Sequence, residues 1–465
     1  MSATTSKPDP QTREAAAEDG TLSAHAKALI EKTERGELVV GVLGLGYVGL
    51  PLTEAFVRCG VSVVGFDISK ERVDELNSGR SGMRHIDDDR VTRMVDSGLF
   101  RATTEGDLLK EADALLICVP TPLDRYHHPD LSYVEATCHM LKSHLRPGQL
   151  IVLESTTYPG TTQDIMRPIL EESGLKAGRD FALAYSPERE DPGNIDFETS
   201  TIPKLVGADS EAARAMAKAV YDKIVKTVMV PNTRTAEAAK LTENIFRWVN
   251  IALVNELKLI FDEMDIDVWD VVEAAASKPF GYMPFYPGPG VGGHCIRVDP
   301  YYLTWKAREH GMSTRFIELA GEININMPKR VVSRLMEELN RRHKKALAGC
   351  RILLCGVAYK KNIDDLRESP ALELWQLLEE SGAQVDYFDP FIPEVPHTHD
   401  FPQFAGHKSI TWDLDALKAY DAAVVATDHS FVDYAVLADT LPLVVDTRNV
   451  TRDLSERLRE KVAKA

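Results

Sequence analysis

A cysteine in a glycine-rich stretch is the first residue whose type and surroundings suggest chemistry. Cys295 lies in "GVGGHCIRVDP", outside the apolar strand patterns that contain Cys118 and Cys355. Glycines before it let a substrate approach closely. A thiolate at such a place can add to an aldehyde carbonyl, and the adduct becomes a thioester once it gives up a hydride. A lone cysteine is more often structural, so its position alone leaves both interpretations open.

A lysine and an asparagine at helical spacing form the second candidate. Lys240 and Asn244 lie four positions apart in a long segment with apolar residues at helical spacing, so they share one face of a helix. A lysine there can stabilise an alkoxide-like oxygen, and an asparagine can donate a neutral hydrogen bond to the same centre. A surface helix carrying one lysine is the commoner arrangement.

A glycine loop indicates a binding site for a dinucleotide, the group that could accept the hydride. "GLGYVG" places Gly44, Gly46 and Gly49 directly after an apolar strand and at the start of a helix, as in dinucleotide-binding loops. Asp67 follows 23 positions after Gly44, at the end of the next strand, where a carboxylate accepts hydrogen bonds from a ribose diol. That carboxylate would repel a 2′-phosphate, so the pattern favours NAD over NADP, with Arg72 nearby as the one feature that leaves doubt.

The second half of the chain has a similar strand and loop but different chemistry. "LLCGVAYKKNIDDLRESP" has one glycine where the first half has three, and it adds Lys360, Lys361 and Arg367. It therefore predicts no second dinucleotide site. The cations could grip another phosphate-bearing ligand, although on sequence alone a solvated loop with internal ion pairs is favoured.

Composition limits the partners and the compartment. The 465 residues carry a net charge of −17, which opposes broad attraction to nucleic acid or membrane lipid. No apolar run approaches the roughly 20 residues of a membrane span, and the first residues lack the apolar stretch of a signal peptide, so a cytoplasmic protein is expected. The six cysteines form no C-x-x-C pair or zinc-spaced cluster, which favours free thiols and no metal site.

The pattern of apolar runs along the chain predicts the elements that must position these residues. It indicates an α/β protein with two Rossmann-like, doubly wound domains joined by a long central helix. Apolar strands alternate with helices in both halves, and the segment from about residue 234 contains neither Gly nor Pro. We divide the chain into a disordered or helical extension (residues 1–36), an NAD-binding α/β domain (37–231), a central helical domain (232–328) and a second, C-terminal α/β domain (329–465).

Seven motifs in order resemble one known family. They are "GVLGLGYVGLP", "CVPTP", "ESTTYPGTT", "SPERE", "AEAAKLTENIFRWVNIALVNEL", "PGPGVGGHCIRVDPYYLTWKA" and "AYKKNIDDLRESPALEL". Their order and spacing are similar to those of nucleotide-sugar 6-dehydrogenases, the group that contains UDP-glucose and GDP-mannose dehydrogenases. The resemblance covers about residues 38–450 and is strongest to UDP-N-acetylglucosamine 6-dehydrogenases of bacterial surface-polysaccharide pathways.

The resemblance implies a four-electron oxidation of the sugar C6 alcohol to a carboxylate with two NAD. Cys295 matches the nucleophile, Lys240 and Asn244 the pair at the C6 oxygen, Asp299 the acid of the proton network, and Glu188 the glutamate that assists thioester hydrolysis. The cofactor site then comprises Gly44, Gly46, Tyr47, Val48, Gly49, Asp67, Arg72, Thr121 and Thr156, and the substrate site comprises Arg189, Tyr286, Gly292, Lys360, Arg367 and Arg448. The resemblance therefore favours ligand binding by the loop that contains Lys360 and Arg367, whereas the sequence alone favoured a solvated loop with internal ion pairs.

Several alternatives stay open at the level of sequence. The N-acetylmannosamine epimer is the nearest alternative substrate, because no motif reads the C2 stereocentre, and UDP-glucose comes third. A catalytically inactive sensor of NAD and UDP-sugar is the alternative from another class, although a binder has no use for the nucleophile. Arg297 stands where relatives often have proline, and the sequence does not say whether it touches the substrate or faces solvent. The resemblance also implies a homodimer or a higher homo-oligomer.

Overall fold

The computed structural model describes residues 19–83, 86–124, 126–189, 201–398 and 400–465. Residues 1–18, the first half of the extension predicted to be disordered or helical, lie outside the described residues. The chain forms two compact units. The first comprises Met1–Glu243 with Tyr301–His310, and the second comprises Asn244–Pro300 with Gly311–Ala465.

The first unit is built on an eight-stranded sheet in the part of the chain that the structure describes. Its strand order is β3-β2-β1-β4-β5-β6-β7-β8, so the switch point lies between β1 and β4, where ligands of such sheets bind. Neighbours pair in parallel except β6 with β7. The strands are β1 (Val39–Leu43), β2 (Ser62–Phe66), β3 (Phe100–Thr103), β4 (Ala114–Ile117), β5 (Leu150–Leu153), β6 (Ala182–Tyr185), β7 (Lys204–Ala208) and β8 (Thr227–Val230).

Helices cover both faces of this sheet. Val40 and Val42 belong to one buried apolar cluster and Leu43 to another, as expected for a parallel sheet with two buried faces. The helices are α1 (Asp19–Glu34), α2 (Gly49–Arg58), α3 (Lys70–Asn77), α4 (Asp88–Asp96), α5 (Ser132–Leu141), α6 (Arg167–Glu171) and α7 (Glu211–Tyr221), with a 3-10 turn at Gly106–Glu111 and a π-helical turn at Thr161–Met166.

The helix predicted in the N-terminal extension packs on the first unit. Leu29 and Thr33 are buried, and α1 lies against α7. The Lys32 Nζ contacts the Asp113 carboxylate at 2.7 Å, and Asp113 also accepts a hydrogen bond from the Val39 backbone N–H at the start of β1. The described part of the extension is therefore an integral helix of this unit.

Long helices lead from the first unit into the second. Helix α8 (Thr233–Asp262) is the predicted central helix, and the boundary between the units falls within it. Helix α10 begins in the second unit and ends in the first. The remaining helices of this region are α9 (Val268–Ala276), α10 (His294–Glu309) and α11 (Arg315–Glu338), which continues as a π-helical turn at Leu339–His343.

The second unit contains a five-stranded parallel sheet. Its order is β10-β9-β11-β12-β13, which is the 2-1-3-4-5 doubly wound order with a switch point between its first and third strands. The strands are β9 (Arg351–Cys355), β10 (Gln384–Phe388), β11 (Ala422–Val425), β12 (Val444–Asp446) and β13 (Val462–Lys464), and the helices are α12 (Pro370–Glu380), α13 (Leu414–Leu417), α14 (Tyr434–Thr440) and α15 (Glu456–Arg459), with a 3-10 turn at Pro402–Phe404.

Four strands were not apparent from the sequence. Strands β3, β7, β8 and β13 have three to five residues each and lack a long apolar run, so their pattern is weak. Strand β7 begins with a lysine and pairs antiparallel with β6, whereas the other neighbouring strands of the described sheet pair in parallel. The α/β class, both doubly wound sheets and the long central helix are as predicted.

Candidate active site

The glycine loop after β1 has the shape that a pyrophosphate requires. A Cβ at Gly49 would lie 1.8 Å from the Gly44 carbonyl oxygen, so only glycine lets α2 begin this close to the strand. Gly44 has φ +91°, where side chains are strained. A Cβ at Gly46 would meet nothing within 4 Å. The protein's own packing therefore does not require glycine at position 46, which is consistent with a role in the close approach of a pyrophosphate to the loop backbone.

Asp67 and Arg72 brace this loop from its far side. The Asp67 carboxylate accepts hydrogen bonds from the backbone N–H groups of Leu45, at 3.0 Å, and Ser69, at 2.9 Å. The Arg72 guanidinium donates to the Leu45 carbonyl oxygen at 3.0 and 3.1 Å, and also to the Ser81 carbonyl oxygen. Burial lowers the pKa of Arg72, and its carbonyl contacts make it a support of the loop.

The remaining predicted cofactor residues lie at the same edge of the sheet. Tyr47 is exposed on the loop, and Val48 packs partly buried at the start of α2. The Thr121 hydroxyl, after β4, donates to the Thr156 carbonyl oxygen, after β5, at 2.8 Å. The hydroxyl of buried Tyr302 donates to the Thr121 carbonyl oxygen at 2.6 Å. The loops after β4 and β5 are therefore tied together beside the switch point, and Tyr302 of α10 holds the first of them.

Glu188, Arg189 and Lys240 also belong to the first unit. The Glu188 carboxylate accepts the Arg189 backbone N–H at 2.6 Å and lies 3.4 Å from the Lys204 Nζ. The Arg189 guanidinium pairs with Glu243 at 2.6 Å and donates to the Pro203 carbonyl oxygen at 2.7 Å. Arg189, predicted to bind substrate, is thus held against protein groups. Lys240 is buried on α8, one turn before Asn244.

In the second unit, Asn244 and Asp299 come together. Both are buried, and the Asn244 Nδ2 donates to the Asp299 carboxylate. The Asn244 Oδ1 accepts a hydrogen bond from Arg247, one turn further along α8. Asp299 is on α10, four positions after Cys295. The backbone of Cys295 is in the first turn of α10, but its side chain lies outside the described part of the structure.

The glycine-rich stretch before Cys295 lies against the predicted substrate residues. A Cβ at Gly288 would lie 2.8 Å from a terminal nitrogen of Arg448, so a larger residue there would collide with that guanidinium. A Cβ at Gly292 would lie 2.6 Å from the Tyr359 Cβ. The Gly293 backbone N–H donates to the Arg367 carbonyl oxygen at 3.3 Å. The stretch therefore reaches the loop after β9 and Arg448 after β12.

The cations of this region are held to different extents. The Arg367 guanidinium pairs with Asp365 at 2.6 Å, as the alternative of internal pairing expected, while about two fifths of its side chain stays exposed. Lys360 is half-buried in the same loop. Burial lowers the pKa of Arg448, whose Nε donates to the Ala426 carbonyl oxygen. Tyr286 stacks on Trp269 with ring centroids 5.1 Å apart.

A buried histidine and aspartate hold the loop after β9. The Asp389 carboxylate accepts the backbone N–H groups of Val357 and Ala358 and contacts the His429 Nε2 at 3.0 Å. The His429 Nδ1 accepts the Asn362 backbone N–H, so Nε2 carries the proton that is donated to Asp389. Burial tends to raise the pKa of Asp389, but His429 and the backbone donors outweigh it and hold that pKa below its usual value.

Asp389 occupies the position in the second sheet that Asp67 has in the first. Each follows the strand beside the first strand of its sheet and accepts backbone N–H groups from the adjacent loop. At Asp389, His429 contacts the same carboxylate oxygen that accepts the Val357 and Ala358 N–H groups.

Sequence reasoning missed four residues that support these groups. Lys204 and Glu154 flank Glu188, Arg247 orients Asn244, and Glu237 holds the start of α8. A lysine inside an apolar strand and a glutamate ending one are unusual and could have signalled the first two. Arg247 shares a helix face with Asn244 at a spacing of three. No set of described His, Cys, Asp and Glu residues is arranged to hold a metal ion.

Comparison with known families identifies the chain. Three models of one family match it in order: the NAD binding domain over residues 38–225, the central domain over 234–326 and the UDP binding domain over 353–453. The chain belongs to the UDP-glucose/GDP-mannose dehydrogenase family. As a member of this family it is an NAD-dependent dehydrogenase acting on a UDP-sugar, and the glycine loop with Asp67 fits the cofactor.

Relatives in this family differ in the sugar that their names give. The chain is 36% identical to a UDP-N-acetyl-D-glucosamine 6-dehydrogenase of Pseudomonas aeruginosa over 85% of this chain and 91% of that protein. It is 35% identical to a UDP-N-acetyl-D-mannosamine dehydrogenase of Pyrococcus horikoshii over 89% and 96%. A solved structure of the UDP-D-ManNAc dehydrogenase from Pyrococcus horikoshii aligns with a TM-score of 0.80 at 33% identity, over 90% of this chain and 96% of that one.

No helix among the described residues is both long and apolar enough to cross a membrane.

The buried thiols of Cys118 and Cys355 sit in strand environments, as the sequence predicted, and burial raises the pKa of Cys355 to about 12. Cys59 is an exposed free thiol. It therefore serves below as the reference for the reactivity of Cys295.

Proposed function

We propose that the protein oxidises the C6 alcohol of UDP-N-acetylglucosamine to the carboxylate, giving UDP-N-acetylglucosaminuronate for surface-polysaccharide synthesis. The observation that carries the proposal is the hydrogen bond between buried Asn244 and Asp299 on the helix whose first turn contains Cys295. The glycine-rich stretch just before that helix lies against Arg448 and the Arg367 loop, which are suited to a diphosphate. The similarity to the enzyme of Pseudomonas aeruginosa supports this sugar.

The proposed chemistry proceeds through an adduct on Cys295. NAD, when bound, accepts the hydride in each of the two oxidations. The alcohol first becomes an aldehyde, the Cys295 thiolate adds to it as a thiohemiacetal, and the second oxidation leaves a thioester that water cleaves. Lys240 and Asn244 stabilise negative charge on the C6 oxygen, Asp299 completes their proton network, and Glu188 assists the water. A thiol adduct retains the reactive aldehyde while the first reduced cofactor is exchanged.

The parts of the chain have proposed roles of their own. Residues 37–231 bind NAD, 232–328 carry catalysis and dimerisation, 329–465 bind the UDP-sugar, and 1–36 form the extension. We place the protein in the cytoplasm, where NAD and nucleotide sugars occur, with no nucleic acid or membrane partner.

An exposed apolar stripe at seven-residue spacing on α8 supports a homodimer. It consists of Phe246, Leu253 and Ile260.

The test is the amount of NADH formed from a limiting quantity of each sugar with excess NAD. About two NADH per UDP-N-acetylglucosamine, and none from the mannosamine epimer or UDP-glucose, is expected from a four-electron oxidation. One NADH per sugar would overturn the thioester scheme. Two NADH per molecule from another sugar alone would make that sugar the substrate. If a folded protein that binds NAD forms no NADH from any sugar, the result would favour the catalytically inactive sensor.

A cysteine pair separates the nucleophile from general thiol effects. Cys295→Ser is expected to abolish two-step turnover, while Cys59→Ser, which alters an exposed thiol, should turn over as the unaltered protein does. Equal turnover by both variants would show that Cys295 is not the nucleophile of the reaction.

The mannosamine epimer is the second candidate substrate, because a specific observation favours it. The Pyrococcus horikoshii relative named for UDP-N-acetyl-D-mannosamine is nearly as similar in sequence as the Pseudomonas aeruginosa one and covers more of the chain. The two sugars differ only in the configuration at C2. The limiting-sugar measurement distinguishes them directly.

A further inference from the structure

A buried lysine lies behind Glu188 in the first unit. Lys204 is the first residue of β7, and its side chain is 5% exposed. The other residues of that strand, Leu205 to Ala208, are buried and apolar or glycine. An aliphatic residue would suit the strand equally well, so the ammonium at this position calls for a reason beyond packing.

Three oxygens surround the Lys204 ammonium. Its Nζ lies 2.7 Å from a carboxylate oxygen of Glu154, 3.4 Å from one of Glu188 and 3.5 Å from the Pro187 carbonyl oxygen. The contacts with Glu188 and Pro187 are hydrogen bonds, and the contact with Glu154 is an ion pair. The Tyr221 hydroxyl donates to the other oxygen of Glu154. Glu188 thus shares with Glu154 a cation that the fold keeps out of water.

The lysine is charged in spite of its burial. Burial lowers the pKa of Lys204, but Glu154 and Glu188 outweigh this effect and raise the pKa above its usual value. Burial raises the pKa of Glu154, and Lys204 opposes that rise. Buried ion pairs add little stability compared with apolar residues of similar volume. Stability therefore gives no strong reason for a lysine at this position.

We propose that Lys204 is a positioning residue for Glu188: paired with Glu154 behind it, the buried ammonium fixes the Glu188 carboxylate in place and keeps it charged for thioester hydrolysis. The proposal rests on the proposed function, in which Glu188 assists the attacking water. Lys204 itself touches neither the substrate nor the cofactor. It acts only through the carboxylate that it contacts.

The step in question requires a charged carboxylate. The water oxygen bonds to the thioester carbon, and one water proton passes to the Glu188 carboxylate. The carbon–sulfur bond breaks, and its electron pair stays on the Cys295 sulfur as a thiolate, which then takes up the proton from Glu188. The products are the sugar carboxylic acid and the free thiol, and no electrons are transferred. A protonated Glu188 cannot accept the water proton, so the step slows at low pH.

Among the described residues of the first unit, the titratable and charged groups that face Glu188 set the direction of the effect. They are Lys204 on β7, Glu154 after β5 and Cys118 after β4, whose pKa burial raises so that the thiol stays neutral. Arg189 beside it is paired with Glu243. A nearby cation favours the charged carboxylate and a nearby anion disfavours it. Removing Lys204 should therefore shift the acid limb of hydrolysis to higher pH, and removing the Glu154 charge should shift it to lower pH.

The experiment follows decay of the acylated enzyme as a function of pH, by acid quench and intact-mass spectrometry of the full chain with UDP-N-acetylglucosamine and NAD. The variants are Glu154→Gln, which leaves Glu188 as the only carboxylate paired with Lys204, and the double variant Lys204→Met with Glu154→Gln. The double variant removes both charges, so that neither position 154 nor position 204 keeps a buried charge without its partner. The pair differs only at Lys204. A third variant, Lys204→Arg, keeps a cation at the position.

The double variant is expected to acylate, with two NADH per active site, and its deacylation should lose activity at a pH about one unit higher than in Glu154→Gln. Lys204→Arg should stay close to the unaltered protein. Equal acid limbs in the double variant and Glu154→Gln would overturn the proposal. If the double variant does not fold, an acid limb in Glu154→Gln that is not displaced to lower pH would overturn it instead. Absence of an acyl adduct in the unaltered protein would refute the proposed function itself, before any variant is compared.

Discussion

Asn244 illustrates how one hydrogen bond can decide the orientation of an amide. Arg247 can only donate, so the amide atom that it contacts must be the carbonyl oxygen, and the Nδ2 is left to donate to the Asp299 carboxylate. Without Arg247 the amide could rotate and present its oxygen to that carboxylate. The role proposed for Asn244 at the C6 oxygen therefore depends on an arginine one helical turn away.

Arg247→Met should lower kcat about tenfold, the effect of losing one hydrogen bond that involves a charged group. KM for the UDP-sugar should change little, because the amide is proposed to act on charge that develops during the reaction. Steady-state kinetics measure both constants. Arg234→Met is the matched control, since Arg234 is on the same helix but forms an exposed pair with Asp164. A kcat for Arg247→Met within twofold of that control would contradict the prediction.

The Asp389 carboxylate makes stability depend on pH. Its pKa is held below the usual value by His429 and backbone N–H groups, despite the opposing effect of burial. A carboxyl group whose folded pKa is depressed stabilises the fold above its unfolded-state pKa of about 4, and that contribution is lost as pH falls through the folded value. Asp389→Asn should therefore lower the free energy of unfolding by about 2 kcal/mol at neutral pH.

The measurement is denaturant unfolding of both proteins from pH 7 downwards, and the difference between them should shrink below a pH of about 4. Asp415→Asn is the control, because the Asp415 pKa is also lowered, by a hydrogen bond to Lys418, but at a fully exposed position. That variant should unfold as the unaltered protein does. A constant difference for Asp389→Asn across the whole range would show that its effect is not linked to ionisation.

Among the elements, α8 is held at its start by a buried carboxylate. Glu237 accepts the Gly160 N–H at 2.6 Å, the Thr162 N–H at 2.9 Å and the Thr162 hydroxyl at 2.7 Å. These groups follow the loop that contains Thr156. Because Lys240 lies three residues beyond Glu237 on the same helix, the placement of Lys240 relative to that loop depends on this one side chain.

Glu237→Gln should destabilise the first unit, because the amide NH₂ cannot accept the N–H group that faces it. One buried donor left without a partner costs about 2 kcal/mol. The loss should appear in thermal unfolding together with a lower kcat. Glu263→Gln, at an exposed glutamate just beyond the end of α8, should leave both unchanged. A variant at position 237 that keeps its stability would mean that the loop finds other acceptors.

Elements with strong patterns were predictable and short supporting ones were not. Apolar runs and the glycine spacing predicted β1, the loop after it and Asp67, since local patterning alone specifies them. Lys204 and Glu154 were not apparent, because their pairing joins β7 to the end of β5, and β7 itself was missed. The family resemblance assigned Arg72 and Arg189 to ligands, and in the structure each also contacts backbone or a carboxylate of the protein. Sequence spacing cannot reveal which partner satisfies a cation.

At the scale of the whole molecule, one side of α8 in the second unit exposes apolar side chains among the residues that the structure describes. Phe246, Leu253 and Ile260 are 47, 50 and 43% exposed, and their spacing of seven residues puts them on one side of the helix. Phe316 and Leu319 on α11 are also exposed. A soluble protein rarely leaves such a stripe open to water, so we expect a second copy of the chain to cover it.

Leu253→Glu should convert the dimer into the 51.6 kDa chain, because it places a charge at the middle of the stripe. Burying an unpaired carboxylate there should weaken association by about 3 kcal/mol, or roughly a hundredfold. Sedimentation velocity across a concentration series measures the change. Leu414→Glu adds the same charge at an equally exposed leucine elsewhere in the second unit, and it should leave the mass unaltered. A Leu253→Glu protein that sediments as a dimer at every concentration would exclude this stripe as the interface.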